Sequence, residues 1–173
     1  YEGVILKKQD TPWNKENLSY YAPDVVRGTD GRYYLYYSVA NTSITSVAVC
    51  DKPAGKYQYL GDVHFPDGRV YGSKPEDWFM FDPAVLVDDD GRVFLYVGSG
   101  QKSNGQFGHE IKGLFVMELS SDMLTIISEP TIIMPADFDP KSRTIGKDPL
   151  SVTSVSGIIW SIRPRTSPGS ITR

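Results

Sequence analysis

Asp82 is the residue of this chain best placed for acid–base chemistry. It stands directly before Pro83 in Phe79-Met80-Phe81-Asp82-Pro83, and proline biases the residue ahead of it to an extended conformation. At the entrance of an innermost propeller strand, a short carboxylate is expected to project into the central channel. The large apolar side chains around it can desolvate it, or a neighbour, and shift the proton affinity. The competing role for Asp82 is a turn or cap before the strand. Asp24 follows Pro23 and has the other strand parity, which suits a structural hydrogen bond more than direct catalysis and leaves a ligand contact open. Tyr20-Tyr21 precede one strand as Phe81-Asp82 precede another, which puts Tyr21 in the place of Asp82. Tyr21 and Phe81 offer flat apolar faces on which a ring-shaped ligand can stack, or which can simply fill a channel.

Other chemistries fit poorly. Asp88-Asp89-Asp90-Gly91 is acidic, but it lacks the spacing and the distal glutamate of a calcium loop and reads as a solvated hairpin turn. His64 and His109 have no second histidine at metal-ligand spacing, so no metal is expected. Cys50, the one cysteine, lies in the apolar Ser46-Val47-Ala48-Val49-Cys50 and reads as a core residue. Neither a glycine-rich phosphate loop nor a Gly-x-Ser-x-Gly elbow occurs, and no cofactor is expected. A net charge of −3 without a Lys/Arg cluster argues against a nucleic-acid partner. No apolar run approaches the ~18 residues of a membrane helix.

The elements that must position these residues come from a repeat. Residues 22–38, Ala-Pro-Asp-Val-Val-Arg-Gly-Thr-Asp-Gly-Arg-Tyr-Tyr-Leu-Tyr-Tyr-Ser, lie over residues 82–98, Asp-Pro-Ala-Val-Leu-Val-Asp-Asp-Asp-Gly-Arg-Val-Phe-Leu-Tyr-Val-Gly, without a gap. The offset is 60 residues. Each copy runs from proline through an apolar stretch to Asp-Gly-Arg and an aromatic-Leu-Tyr return, the pattern of a β-hairpin. The first unit continues with a strand over 43–50, a turn at Pro53 to Gly55 and a fourth strand over 57–60. After a loop over 64–78, the second unit supplies a third strand over 114–119, where an uninterrupted apolar run favours strand over helix, and a fourth over 125–127. Val4 to Leu6 reads as the middle of a strand that closes an earlier unit. The spacing suits a sandwich or a propeller, and the repeat favours an all-β propeller of four-stranded blades.

With those motifs in hand, the chain resembles the glycoside hydrolase family 43 enzymes. The likeness is carried by Tyr21-Ala22-Pro23-Asp24-Val25 with Gly31-Arg32-Tyr33-Tyr34-Leu35, and by Phe81-Asp82-Pro83-Ala84-Val85 with Asp90-Gly91-Arg92-Val93-Phe94-Leu95. It implies a five-bladed propeller acting on arabinose- or xylose-containing polysaccharides by inversion. A base aspartate, an acid glutamate and a third aspartate that tunes the acid share the work. Asp82 matches the tuning residue, with Tyr21, Asp24 and Phe81 as substrate-binding candidates. The base is expected upstream of Tyr1 and the acid beyond the matching segment, so the segment alone is expected to be inactive. Residues 1–146 form the family segment in this reading, comprising the end of one blade and about two more. Residues 147–173, rich in Ser, Thr and Pro, form a disordered or out-of-frame tail. The rival function is a non-catalytic sugar-binding propeller in which Tyr21, Trp78 and Phe81 stack on glycans.

Overall fold

The structure is a computed structural model that describes residues 3–98, 107–136, 150–153 and 161–164. The chain divides into two compact units, Tyr1–Phe138 and Asp139–Arg173.

The first unit holds two four-stranded antiparallel sheets, each wound in sequence order. Sheet one comprises β1 (Tyr20–Arg27), β2 (Tyr33–Val39), β3 (Thr45–Cys50) and β4 (Gln58–Asp62). Sheet two comprises β5 (Ala84–Val87), β6 (Val93–Gly98), β7 (Gly113–Leu119) and β8 (Thr131–Pro135). The two hairpin turns that open the sheets are the same structure made twice. Gly28 N–H donates to Arg32 O at 2.8 Å and Asp88 N–H to Arg92 O at 2.9 Å. Gly31 and Gly91 take φ +84° and +80°, a left-handed conformation that glycine adopts without steric penalty. The acidic side chains of these turns serve the turn itself: Asp88 Oδ1 accepts the N–H groups of Asp90 and Arg92 at 3.0 and 2.9 Å.

Burial explains why the two sheets read differently in sequence. Tyr34 and Tyr36 of β2 face sheet two, where they join Val47, Met80, Leu95, Phe115 and Met117 in one core. Leu35, Tyr37 and Val39 of the same strand face the other way, into a second cluster covered by Leu6, Trp13 and Leu18. With both faces covered, β2 is a continuous apolar run, whereas β7 alternates buried and half-buried residues, as a strand covered on one face does.

Two strand expectations are corrected. Val4 to Leu6 is not a strand; it bends, and Ile5 O accepts the Tyr57 N–H at 2.8 Å. The segment goes on through a short 3₁₀ turn, Lys8–Asp10, to Thr11, whose hydroxyl lies 2.6 Å from Tyr20 Oη and 2.7 Å from Tyr37 Oη. It thus works as a cover for the first sheet. The fourth strand of sheet two is Thr131–Pro135, not residues 125–127. Met123 and Ile126 are 2% exposed and fill the seam between the sheets, where Ile126 N–H donates to His64 O at 2.8 Å. Within this stretch Ile126 alone is taken into the core, while Ile127 is exposed, and the outer strand forms only after Pro130.

In the second unit, β9 (Leu150–Thr153) and β10 (Ser161–Pro164) pair antiparallel. The remainder of the stretch expected to be a disordered or out-of-frame tail, 147–149, 154–160 and 165–173, lies outside the described residues.

Candidate active site

The head of β5 sets the site. Phe81 O accepts the Gly98 N–H at 2.9 Å, and the chain then turns sharply at Asp82, whose φ of +50° is left-handed and not the extended conformation expected ahead of Pro83. A non-glycine residue in that region costs energy and persists only where its surroundings hold it. Those surroundings are well defined. Pro83 is buried, Met80 N–H donates to Ser43 Oγ at 2.9 Å, and Phe79 N–H donates to Glu110 O at 2.8 Å. The Asp82 side chain stands open to solvent on one side and is backed by protein on the other. Partial desolvation there raises its carboxyl above the ordinary aspartate value. No hydrogen bond to its carboxylate forms among the described residues.

An aromatic row runs beside it. Phe79 and Phe81 stack at 5.6 Å with a 12° interplanar angle, and the Tyr21 ring lies 5.9 Å from Phe81. Phe107 continues the row, 6.2 Å from Phe79. Tyr21 is 50% exposed while Phe79 is 2% exposed, so the buried ring supports and the outer rings present. The structure therefore brings Tyr21 and Phe81 together at the residue that precedes Asp82.

The equivalence drawn between Tyr21 and Asp82 is off by one residue. Ala22 has φ +45° where Asp82 has +50°, so Ala22 is the counterpart of Asp82 and Tyr21 that of Phe81. The gapless offset of 60 residues pairs them the same way; counting outward from the strands misplaced the kink. Asp24 approaches β5 from β1, but each oxygen already accepts a backbone amide: Val25 N–H at 3.0 Å and Val85 N–H at 2.8 Å. Trp78 packs edge-on against Phe115 at 5.3 Å and 88°, inside the seam between the sheets and not as a stacking platform. The histidines hold loops: His64 Nδ1 lies 2.8 Å from Asp62 O, and His109, 7% exposed, has Nδ1 3.0 Å from Asp77 O.

Three contributors were missed. Ser43 anchors the segment that leads into Asp82, and its place at the start of the strand expected over 43–50 gives no signal of that. Gly98 runs so close to β7 that an added Cβ would lie 2.0 Å from Gly113 O; the change from Ser38 to Gly98 across the repeat was the available clue. Phe107 sits beyond the repeat, where no pattern marks it.

Comparison with known proteins bears on the family and the fold. The family model for glycosyl hydrolases family 43 matches residues 1–151. A xylosidase/arabinosidase of Thermoclostridium stercorarium is 47% identical over 150 residues, 84% of this chain and 30% of that protein. Among solved structures, a β-xylosidase/α-arabinofuranosidase from a compost microbial metagenome, in complex with xylotriose, superposes with a TM-score of 0.54. It has 28% identity and covers 77% of this chain and 43% of its own. An α-L-arabinofuranosidase of Clostridium thermocellum gives 0.53 and 26%, covering 75% and 39%. The chain thus spans less than half the length of these relatives. The two sheets are blades of a β-propeller, and the chain belongs to glycosyl hydrolase family 43.

Proposed function

We propose that the protein carrying this segment hydrolyses O-glycosidic bonds in arabinose- or xylose-containing polysaccharides by inversion, with Asp82 tuning and orienting the general acid. The observation that carries the reading is Asp82 itself. It is a carboxylate on a strained turn at the head of an innermost strand, partly desolvated, unclaimed by hydrogen bonds among the described residues and flanked by aromatic rings. A negative charge held near a carboxylic acid raises that acid's pKa and keeps it protonated until the leaving oxygen needs the proton. Tyr21 and Phe81 supply a face on which a pentose ring can stack. The names of the relatives, xylosidase/arabinosidase and β-xylosidase/α-arabinofuranosidase, support the substrate class. The fraction of their length that this chain covers supports placing the base and the acid in other parts of the full-length protein. For inversion those two groups stand roughly 6.5–9.5 Å apart, which leaves room for the attacking water.

The test is hydrolysis of aryl arabinofuranosides and xylosides by the full-length protein, with the first-formed anomer read by proton NMR. Release of the opposite anomer to that of the substrate is expected. Binding of oligosaccharides without turnover would reject the enzymatic reading in favour of a carbohydrate-binding propeller.

A further inference from the structure

We propose that Asp24 is a positioning residue for Asp82, acting from one blade on the other through the backbone of β5. The proposal rests on the reading of Asp82 as part of a glycosidase site, and it names the group that holds that carboxylate in place.

β5 is only four residues long and lies at the edge of its sheet, hydrogen-bonded on one side to β6. Alternate N–H groups of an edge strand point away from its partner and need another acceptor. Val85 N–H finds one in Asp24 Oδ2 at 2.8 Å, while Asp24 Oδ1 accepts Val25 N–H at 3.0 Å. The carboxylate is therefore fixed at both oxygens, and a charge-assisted bond of this kind is stronger than one between neutral groups.

Val85 is three residues beyond Asp82, and Pro83 lies between them with its φ locked by the ring. A shift of β5 passes along this short, stiff connection to Asp82. On the other side Phe81 O is pinned by Gly98 N–H at 2.9 Å. Asp82, at φ +50°, thus sits between one pin from its own blade and one from the neighbouring blade. The repeat shows that the second pin is not a requirement of the blade itself. Ala84 occupies the place of Asp24 in the second copy and can offer no such acceptor. Among the described residues the tie occurs at the joint that carries the candidate tuning carboxylate. With both oxygens engaged by backbone, Asp24 serves the site as a support and not as a sugar contact.

The experiment compares Asp24→Ala and Asp24→Asn in the full-length protein, reading kcat, KM, the thermal midpoint and the ¹³C titration of the Asp82 carboxyl. Asp24→Ala is expected to lower kcat by about 10²-fold, the scale of a misplaced catalytic group, with KM changed less than about twofold and the Asp82 titration displaced. Asp24→Asn recovers part of kcat, because its amide oxygen can still accept one of the two N–H groups, and it carries the comparison should the alanine variant not fold. A lower thermal midpoint with kcat and the Asp82 titration unchanged would overturn the proposal in favour of a purely structural tie. A raised KM at unchanged kcat would overturn it in favour of a sugar contact. If the full-length protein turns over no glycoside, the glycosidase reading fails by itself, and the Asp82 titration still decides whether Asp24 holds that carboxylate.

Discussion

Removal of one oxygen atom tests whether the two blades are joined as described. Tyr36 is completely buried, and its hydroxyl donates to Met123 O at 2.7 Å across 87 residues of chain. Burial also drives this hydroxyl well above the ordinary tyrosine pKa. Tyr36→Phe keeps the ring and its packing and leaves a buried carbonyl without that donor, a loss of about 1–3 kcal/mol. For a domain of this size each kcal/mol moves the thermal midpoint by roughly 2–4 °C, so a fall of about 2–12 °C is expected. Tyr34→Phe is the control. Its hydroxyl also has partners, Asp30 at 2.8 Å and Arg32 at 3.0 Å, but they lie on the exposed hairpin turn, and a change within about 0.5 kcal/mol is expected. Thermal and urea unfolding, each followed by tryptophan fluorescence, give these values for both variants. Equal losses for the two variants, or none for Tyr36→Phe, would refute the packing of the blades around Tyr36.

Asp82 is harder to ionise in the folded chain than in the unfolded one, so the folded state keeps its proton to higher pH and loses stability as the pH rises through that interval. Asp82→Asn removes this penalty; calorimetry should show a higher thermal midpoint near about pH 7 and no gain near about pH 3, below both values. Arg69→Ala leaves the Asp77 carboxylate, 5% exposed and bonded to Arg69 at 2.6 Å, with the Gly72 and Lys74 amides for company. Chemical denaturation should record a cost of about 1.5–3 kcal/mol, only partly recovered by Arg69→Lys, since the guanidinium also lies 4.1 Å over Phe65. Gly98→Ala forces a Cβ to 2.0 Å from Gly113 O at φ +125°, which should cost more than about 4 kcal/mol. Gly68→Ala, also at positive φ but in open space, should cost about 1–2 kcal/mol in the same assay.

Where chemistry repeats, the sequence was readable. The two Asp-Gly turns, the aromatic return strands and the Asp82-Pro83 head of β5 are local patterns, and a gapless offset aligns them. What failed to show was set by contacts far apart in sequence. Thr125 to Ile127 has the composition of a strand, yet Ile126 was drawn into the seam by His64, 62 residues away. Val4 to Leu6 likewise has strand composition, but only Leu6 packs on the cluster of Leu35 and Tyr37, while Val4 and Ile5 are exposed. Tyr21 and Phe81 could be read as neighbours because they share one position of the repeat, with Ala22 and Asp82 one residue further on. The use of Asp24 could not be read, since its partner is a backbone amide of another blade, and no side-chain pattern marks an amide.

The pH dependence of kcat for Asp82→Asn in the full-length protein tests the central claim most directly. A carboxylate that holds the general acid in its protonated form should, when replaced by a neutral amide, cost about 10²- to 10⁴-fold in kcat with little change in KM. The limb on which the acid loses its proton should move to lower pH, because removal of a neighbouring negative charge lowers that acid's pKa. A normal kcat with that limb unmoved, or a loss confined to KM, would contradict the claim.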